Sequence, residues 1–82
     1  SAAPGLKEAA AVLVPDVDGV DAVAFFFTAD DEAVARAALQ GCASALPPYQ
    51  RPRWWHAVET LPRGPTGKLL RRKLRELHDG MG

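Results

Sequence analysis

The chain has 82 residues, ten basic and ten acidic side chains, and no net charge at neutral pH. That length limits it to one small domain, and no apolar run approaches the roughly 20 residues a membrane-spanning helix needs. Its single cysteine, Cys42, excludes an internal disulfide and fits a reducing compartment.

In chain order, residues 8–14 (EAAAVLV) form a short apolar run ended by Pro15. Its length and the PDVDG turn that follows predict a buried strand. Residues 22–28 (AVAFFFT) predict a second strand, joined to the first as a hairpin with a wide turn. Asp30, Asp31 and Glu32 supply a cap and an acidic first turn for a helix over 33–45. Ala35, Leu39, Cys42 and Leu46 have the spacing of its buried stripe, which makes Cys42 a small core hydrophobe; Gly41 weakens the helix and is a candidate for ending it early. Pro47, Pro48 and Pro52 make a stiff connector. Residues 53–60 (RWWHAVET) predict a third strand, with Trp55 and Ala57 on one face and Trp54, His56 and Val58 on the other. A loop over 61–67 leads to a last helix over 68–77, striped by Leu70, Leu74 and Leu77.

The expected fold class is therefore α+β: order β-β-α-β-α, a three-stranded sheet with two helices packed on it. Strands two and three, joined through a helix, should run parallel. The simplest sheet puts strand one in the middle (order 2-1-3), as its near-continuous apolar character suggests.

Charge is unevenly distributed. Residues 1–50 hold two bases against seven acids, and residues 51–82 hold eight bases against three acids, so the halves carry −5 and +5. This asymmetry points to an anionic partner, or to a neighbouring domain, on the C-terminal side. The chain begins at Ser1, close to the first strand, with no basic region leading into an apolar stretch. The expectation is a cytoplasmic piece of a larger polypeptide, without a secretory leader.

Several chemistries fit poorly. The P-loop pattern needs Gly at 62 and Ser or Thr at 69, where Pro62 and Leu69 stand. His56, His78 and Cys42 lack metal-ligand spacing, which leaves His56 as a strand surface residue and His78 as a helix-end residue. KLLRRKLR with Trp54, Trp55 and Tyr49 nearby suggests nucleic acid, but its leucines form a core stripe and the tryptophans share one short strand. A basic anion-binding or nucleic-acid-binding module without catalysis is the alternative to an enzyme.

The sharpest signal is Lys68 in LPRGPTGKLLRRKLR. Thr66 and Gly67 are expected to shape a tight turn at a helix N-terminus, where backbone N–H groups and the ammonium face one anion together.

The motifs also resemble a family. EAAAVLVPDVDGVDAVAFFF is similar to the paired strands, and LPPYQRPRWWHAVETLP to the L-x-x-Y-x-x-P segment and following strand, of the C-terminal small domain of adenylate-forming enzymes. Pro62, Gly67, Lys68, Arg71, Leu74 and Arg75 match that domain's terminal motif, P-x-x-x-x-G-K-x-x-R-x-x-L-R. The resemblance covers nearly all of residues 1–82 and is nearest the benzoate-type aryl-CoA ligases, from which Ala57 departs where a larger apolar residue is common.

The resemblance implies an AMP-forming acid–CoA ligase. Lys68 would be its adenylation lysine, and Pro62, Thr66 and Gly67 the supporting loop. Tyr49, Arg53 and Arg71 would belong to the CoA-facing or interdomain surface. ATP and Mg would be held by the large N-terminal domain, with a carboxylic acid and CoA as co-substrates; the small domain alone would bind none of them and be inactive. The spacing of His56, His78 and Cys42 leaves no metal site expected on this chain, the apolar runs are too short to expect a membrane, and nucleic acid is not the favoured partner.

Overall fold

The computed structural model describes residues 5–81. The elements are β1 (Leu6–Pro15), β2 (Asp21–Ala29), α1 (Glu32–Ala43), a 3-10 turn (Pro48–Gln50), β3 (Trp54–Ala57) and α2 (Arg71–Met81). This is the expected α+β class and the expected β-β-α-β-α order. Among the described residues, no helix is long and apolar enough to cross a membrane.

The sheet order is β1-β2-β3, so β2 and not β1 is central. β1 pairs with it antiparallel, from Leu6↔Ala29 to Pro15↔Asp21, and β3 pairs with it parallel, from Ala24↔Trp54 to Phe27↔Ala57. The expected 2-1-3 order fails for a physical reason. β1 buries only alternate residues, Ala10, Val12 and Val14, and leaves Ala9, Ala11 and Leu13 exposed. β2 carries three successive phenylalanines and is apolar on both faces, the pattern of a strand covered from both sides. A parallel partner needs a long crossover, and α1 supplies it directly from β2 to β3.

One face of the sheet holds the main core: Val12, Val14, Ala24, Phe26, Leu61 and Leu74, with Trp54, Val58 and Leu69 packed against it. α1 covers the other face. Asp31 caps it by accepting from the Val34 N–H at 3.1 Å. Its fully covered residues are Ala35 and Ala43. The stripe thus runs 35, 39, 43, and Cys42 falls one position off it. Cys42 is exposed, on the rim of an open apolar cleft formed with Phe25, Leu39 and Trp55, rather than in the core. Gly41 does not end the helix.

Both sheet edges are guarded. Arg75 donates to the Leu13 carbonyl at 3.2 Å on β1, and Arg36 to the Trp55 carbonyl at 3.1 Å on β3. β3 is shorter than the sequence suggests, although Arg53 and Val58 each add one backbone bond to β2 beyond its ends. The expected division of its faces holds, since Trp54 and Val58 pack on the main core and Trp55 lies on the α1 side.

The two histidines are not surface residues. His56 Nε2 and His78 Nδ1 are 3.0 Å apart, joining β3 to α2. His78 is 8% exposed and meets the Trp54 ring edge-on at 4.5 Å, while the His56 ring lies 4.9 Å from Phe26. Burial, then His78, then Arg36 lower the His56 pKa below 6.5. The folded state therefore prefers neutral His56. Its contribution to stability is present above about pH 6.5 and is lost as pH falls through the lowered folded value. Urea unfolding between pH 8 and 5 should show stability declining over the lower part of that range, and His56→Gln should flatten the decline. An equal slope in both proteins would refute this.

Candidate functional site

The segment that carries Lys68 begins at Leu61, which is buried in the main core. From there the chain makes a hairpin. Arg63 and Leu69 form an antiparallel bridge, and the Leu70 N–H donates to the Pro62 carbonyl at 3.0 Å. At the tip, the Gly67 N–H donates to the Gly64 carbonyl at 2.9 Å, and the Gly64 N–H to the Lys68 carbonyl at 2.8 Å. These are the bonds of a three-residue hairpin loop, Pro65-Thr66-Gly67, in which a turn closes on a left-handed glycine. Pro65 presets the turn's first corner and Gly67 takes φ +83°, which a side chain strongly disfavours.

This corrects the expected helix start. α2 begins at Arg71, so Lys68 stands on a hairpin three residues earlier and not at the helix N-terminus. Leu69 and Leu70 are held by the hairpin, and the Leu70 carbonyl accepts the first helical bonds, from Lys73 and Leu74. The buried helix residues are accordingly Leu74 and His78, while Leu77 sits at the margin.

Beyond Gly67 and its two chain neighbours, no atom of the described residues lies within 4 Å of where a Gly67 Cβ would stand, so Gly67→Ala meets strain but no clash with more distant residues. The strain is worth roughly 1–2 kcal/mol, enough to make this exposed hairpin change shape. Gly67→Ala should move the Lys68 backbone amide resonance while leaving those of β2 in place; an unchanged Lys68 resonance would refute it.

The basic side chains differ in what they touch. Lys7, Arg36, Arg53, Arg63, Arg72 and Lys73 each pair with an acid, and Arg51 and Arg75 donate to backbone carbonyls. Of the ten lysines and arginines, only Lys68 and Arg71 have neither kind of partner among the described residues. The first turn of α2 also holds Arg71, Arg72 and Lys73 with no acid. That runs against the helix dipole, which favours negative charge there.

The remaining candidates are placed apart from the hairpin. Tyr49, 81% exposed on the 3-10 turn, and Arg53 line an open depression of about 460 Å³ with Val20, Asp21 and Arg51. Arg53 is committed to Asp16 at 2.9 Å and lies 5.5 Å from the Trp54 ring. No hydrogen bond or ion pair among the described residues links this depression to Lys68, Pro62, Thr66 or Gly67. Trp54 and Trp55 are half-buried against the sheet's two packed faces, which leaves Tyr49 as the exposed aromatic of the three named for nucleic acid. Sequence reasoning missed Glu8, Arg63 and Asp16. Their pairing partners lie too far along the chain for local spacing to reveal.

No protein-family model matches the chain. It is 41% identical over 73 residues to the sulfoacetate–CoA ligase of Cupriavidus necator, covering 87% of this chain and 14% of that protein. It is 33% identical over 82 residues to the 3-hydroxybenzoate–CoA/4-hydroxybenzoate–CoA ligase of Thauera aromatica, covering 94% and 16%. Among solved structures, a Mycobacterium tuberculosis fatty acyl CoA synthetase superposes with a TM-score of 0.80 at 32% identity, over 95% of this chain and 16% of that one. The anthranilate CoA ligase AuaEII, solved with anthranoyl-AMP, gives 0.72 at 32% identity, over 90% and 15%. The chain thus spans about one sixth of the length of the proteins it matches, and those proteins are CoA ligases acting on different acids.

Proposed function

We propose that the chain is the mobile C-terminal small domain of an AMP-forming carboxylic acid–CoA ligase, and that Lys68 is the residue it contributes to acid adenylation. The observation that carries this reading is the exposed ammonium of Lys68, unpaired among the described residues, on a braced hairpin. Six of the other nine cations pair with an acid and two more donate to backbone carbonyls, whereas Lys68, like Arg71, has no such partner among the described residues and is free for one outside the domain. The likeness to CoA ligases along nearly the whole chain supports the same reading.

In adenylation a carboxylate oxygen attacks the α-phosphorus of ATP and pyrophosphate leaves. Lys68 would neutralise charge gathering on the phosphoryl oxygens and orient the attacking carboxylate. ATP, Mg and the acid would be held by the large N-terminal domain. Rotation of the small domain would then withdraw Lys68 and present another face for CoA. Arg71 and the Tyr49–Arg53 depression are the surfaces proposed for CoA or for the large domain.

The benzoate-like assignment is supported by the hydroxybenzoate and anthranilate ligases. The sulfoacetate and fatty-acid enzymes are as similar, as suits a domain that serves the common chemistry while another selects the acid. Lys68→Ala in the full-length ligase tests the function. Acid-dependent pyrophosphate exchange should collapse, while a supplied acyl-adenylate should still react with CoA; unchanged exchange would overturn the assignment.

A further inference from the structure

The hairpin's backbone bonds fix its internal shape but leave its attitude toward the sheet to other contacts. One side chain spans both. The Arg63 guanidinium donates through Nη1 to the Gly67 carbonyl at 3.0 Å, and through Nη2 to Glu8 Oε1 at 2.6 Å. Gly67 immediately precedes Lys68, and Glu8 lies 55 residues from Arg63, on β1. Glu8 is itself anchored: its N–H donates to Thr28 Oγ1 at 3.1 Å, beside the register shift of β1 between Leu6 and Glu8, and Thr28 is buried. A continuous path thus runs from buried Thr28 through Glu8 and Arg63 to the peptide that bears Lys68.

Stability does not account for this arrangement. The Arg63 and Glu8 side chains are 44% and 50% exposed, and exposed pairs of this kind contribute little to folding. Geometry accounts for it better. A planar guanidinium with two donors in fixed directions holds two acceptors in a fixed relation, which an ammonium cannot do.

We propose that Arg63 is a positioning residue for Lys68, that Glu8 orients Arg63, and that this clamp serves the adenylation half-reaction alone. The proposal rests on the assignment of Lys68 made above. A misplacement of about 1 Å at a reacting centre can cost up to about 100-fold in rate, although the fold is unchanged.

The test uses the full-length ligase and its two half-reactions. Arg63→Met should lower kcat for acid-dependent pyrophosphate exchange by roughly 10- to 100-fold, with KM for ATP nearly unchanged. Arg63→Lys should recover only part of that loss. Glu8→Gln should have a smaller effect in the same direction, and the Glu8→Gln/Arg63→Met double variant should be no slower than Arg63→Met, because the two side chains act as one unit. Thioester formation from supplied acyl-adenylate should stay within about twofold of the parent throughout, since it does not use Lys68 in place. Equal losses in both half-reactions would show a merely structural role and overturn the proposal. So would normal exchange by Arg63→Met in an enzyme that Lys68→Ala disables, which would leave the Lys68 assignment standing. Normal exchange by Lys68→Ala would overturn both.

Discussion

Lys68→Ala is expected to slow adenylation by the full-length ligase by roughly a hundred- to a thousandfold. The size follows from the charge. An ammonium about 4 Å from a phosphoryl oxygen is worth roughly 4 kcal/mol at an effective dielectric of 20, or about three decades of rate. Residual solvent near an exposed hairpin lowers that, hence the range. The loss belongs to kcat more than to KM, because charge builds on the phosphoryl group mainly in the transition state. Lys68→Arg should recover part of the rate, since it keeps the charge on a broader group that fits the same space less well. Pyrophosphate exchange measures the effect, and a loss under tenfold would mean that Lys68 does not reach the reacting phosphate.

Phe26→Ala should have the largest effect on stability. Phe26 is fully buried on the central strand, inside the cluster that joins β1 to α2, and its ring lies against His56. Removing a buried phenyl group costs about 3–5 kcal/mol, from lost transfer energy and the cavity left behind. A domain of this size has roughly 4–12 kcal/mol in all. The expected consequence is a Tm lower by roughly 15–30 °C, or a chain unfolded at room temperature. Trp54, packed on the same core, gives a fluorescence signal for the transition. Leu13→Ala is the contrast: Leu13 is 54% exposed, on the open face of β1, and the change should cost less than about 0.5 kcal/mol. Similar losses from the two would mean that Phe26 does not anchor the core.

Much of this was legible in the residues because it is local. The turn chemistry of residues 15–19, the acidic cap before α1 and the alternation along β3 each act within a few positions, so element order and strand faces follow from spacing. Lys68 was legible for the same reason, from the Gly and Pro residues before it and the basic helix after it. The start of α2 was not. Nothing local says that Leu69 will pair with Arg63, yet that bridge keeps residues 68–70 out of the helix. Cys42 was misplaced because positions 42 and 43 both fit a helical stripe, and only the sheet beneath decides between them.

By itself the sequence determined the α+β class, the succession of elements, the parallel relation of β2 and β3, and Lys68 as the residue to watch. Periodicity, turn residues and covalent connectivity are enough for those. Only the tertiary structure decided which strand is central, that His56 meets His78, and that Glu8 and Arg63 brace the hairpin. Each of those depends on which surfaces are covered once the layers pack, and on contacts between residues 22 to 55 positions apart, which no local pattern encodes.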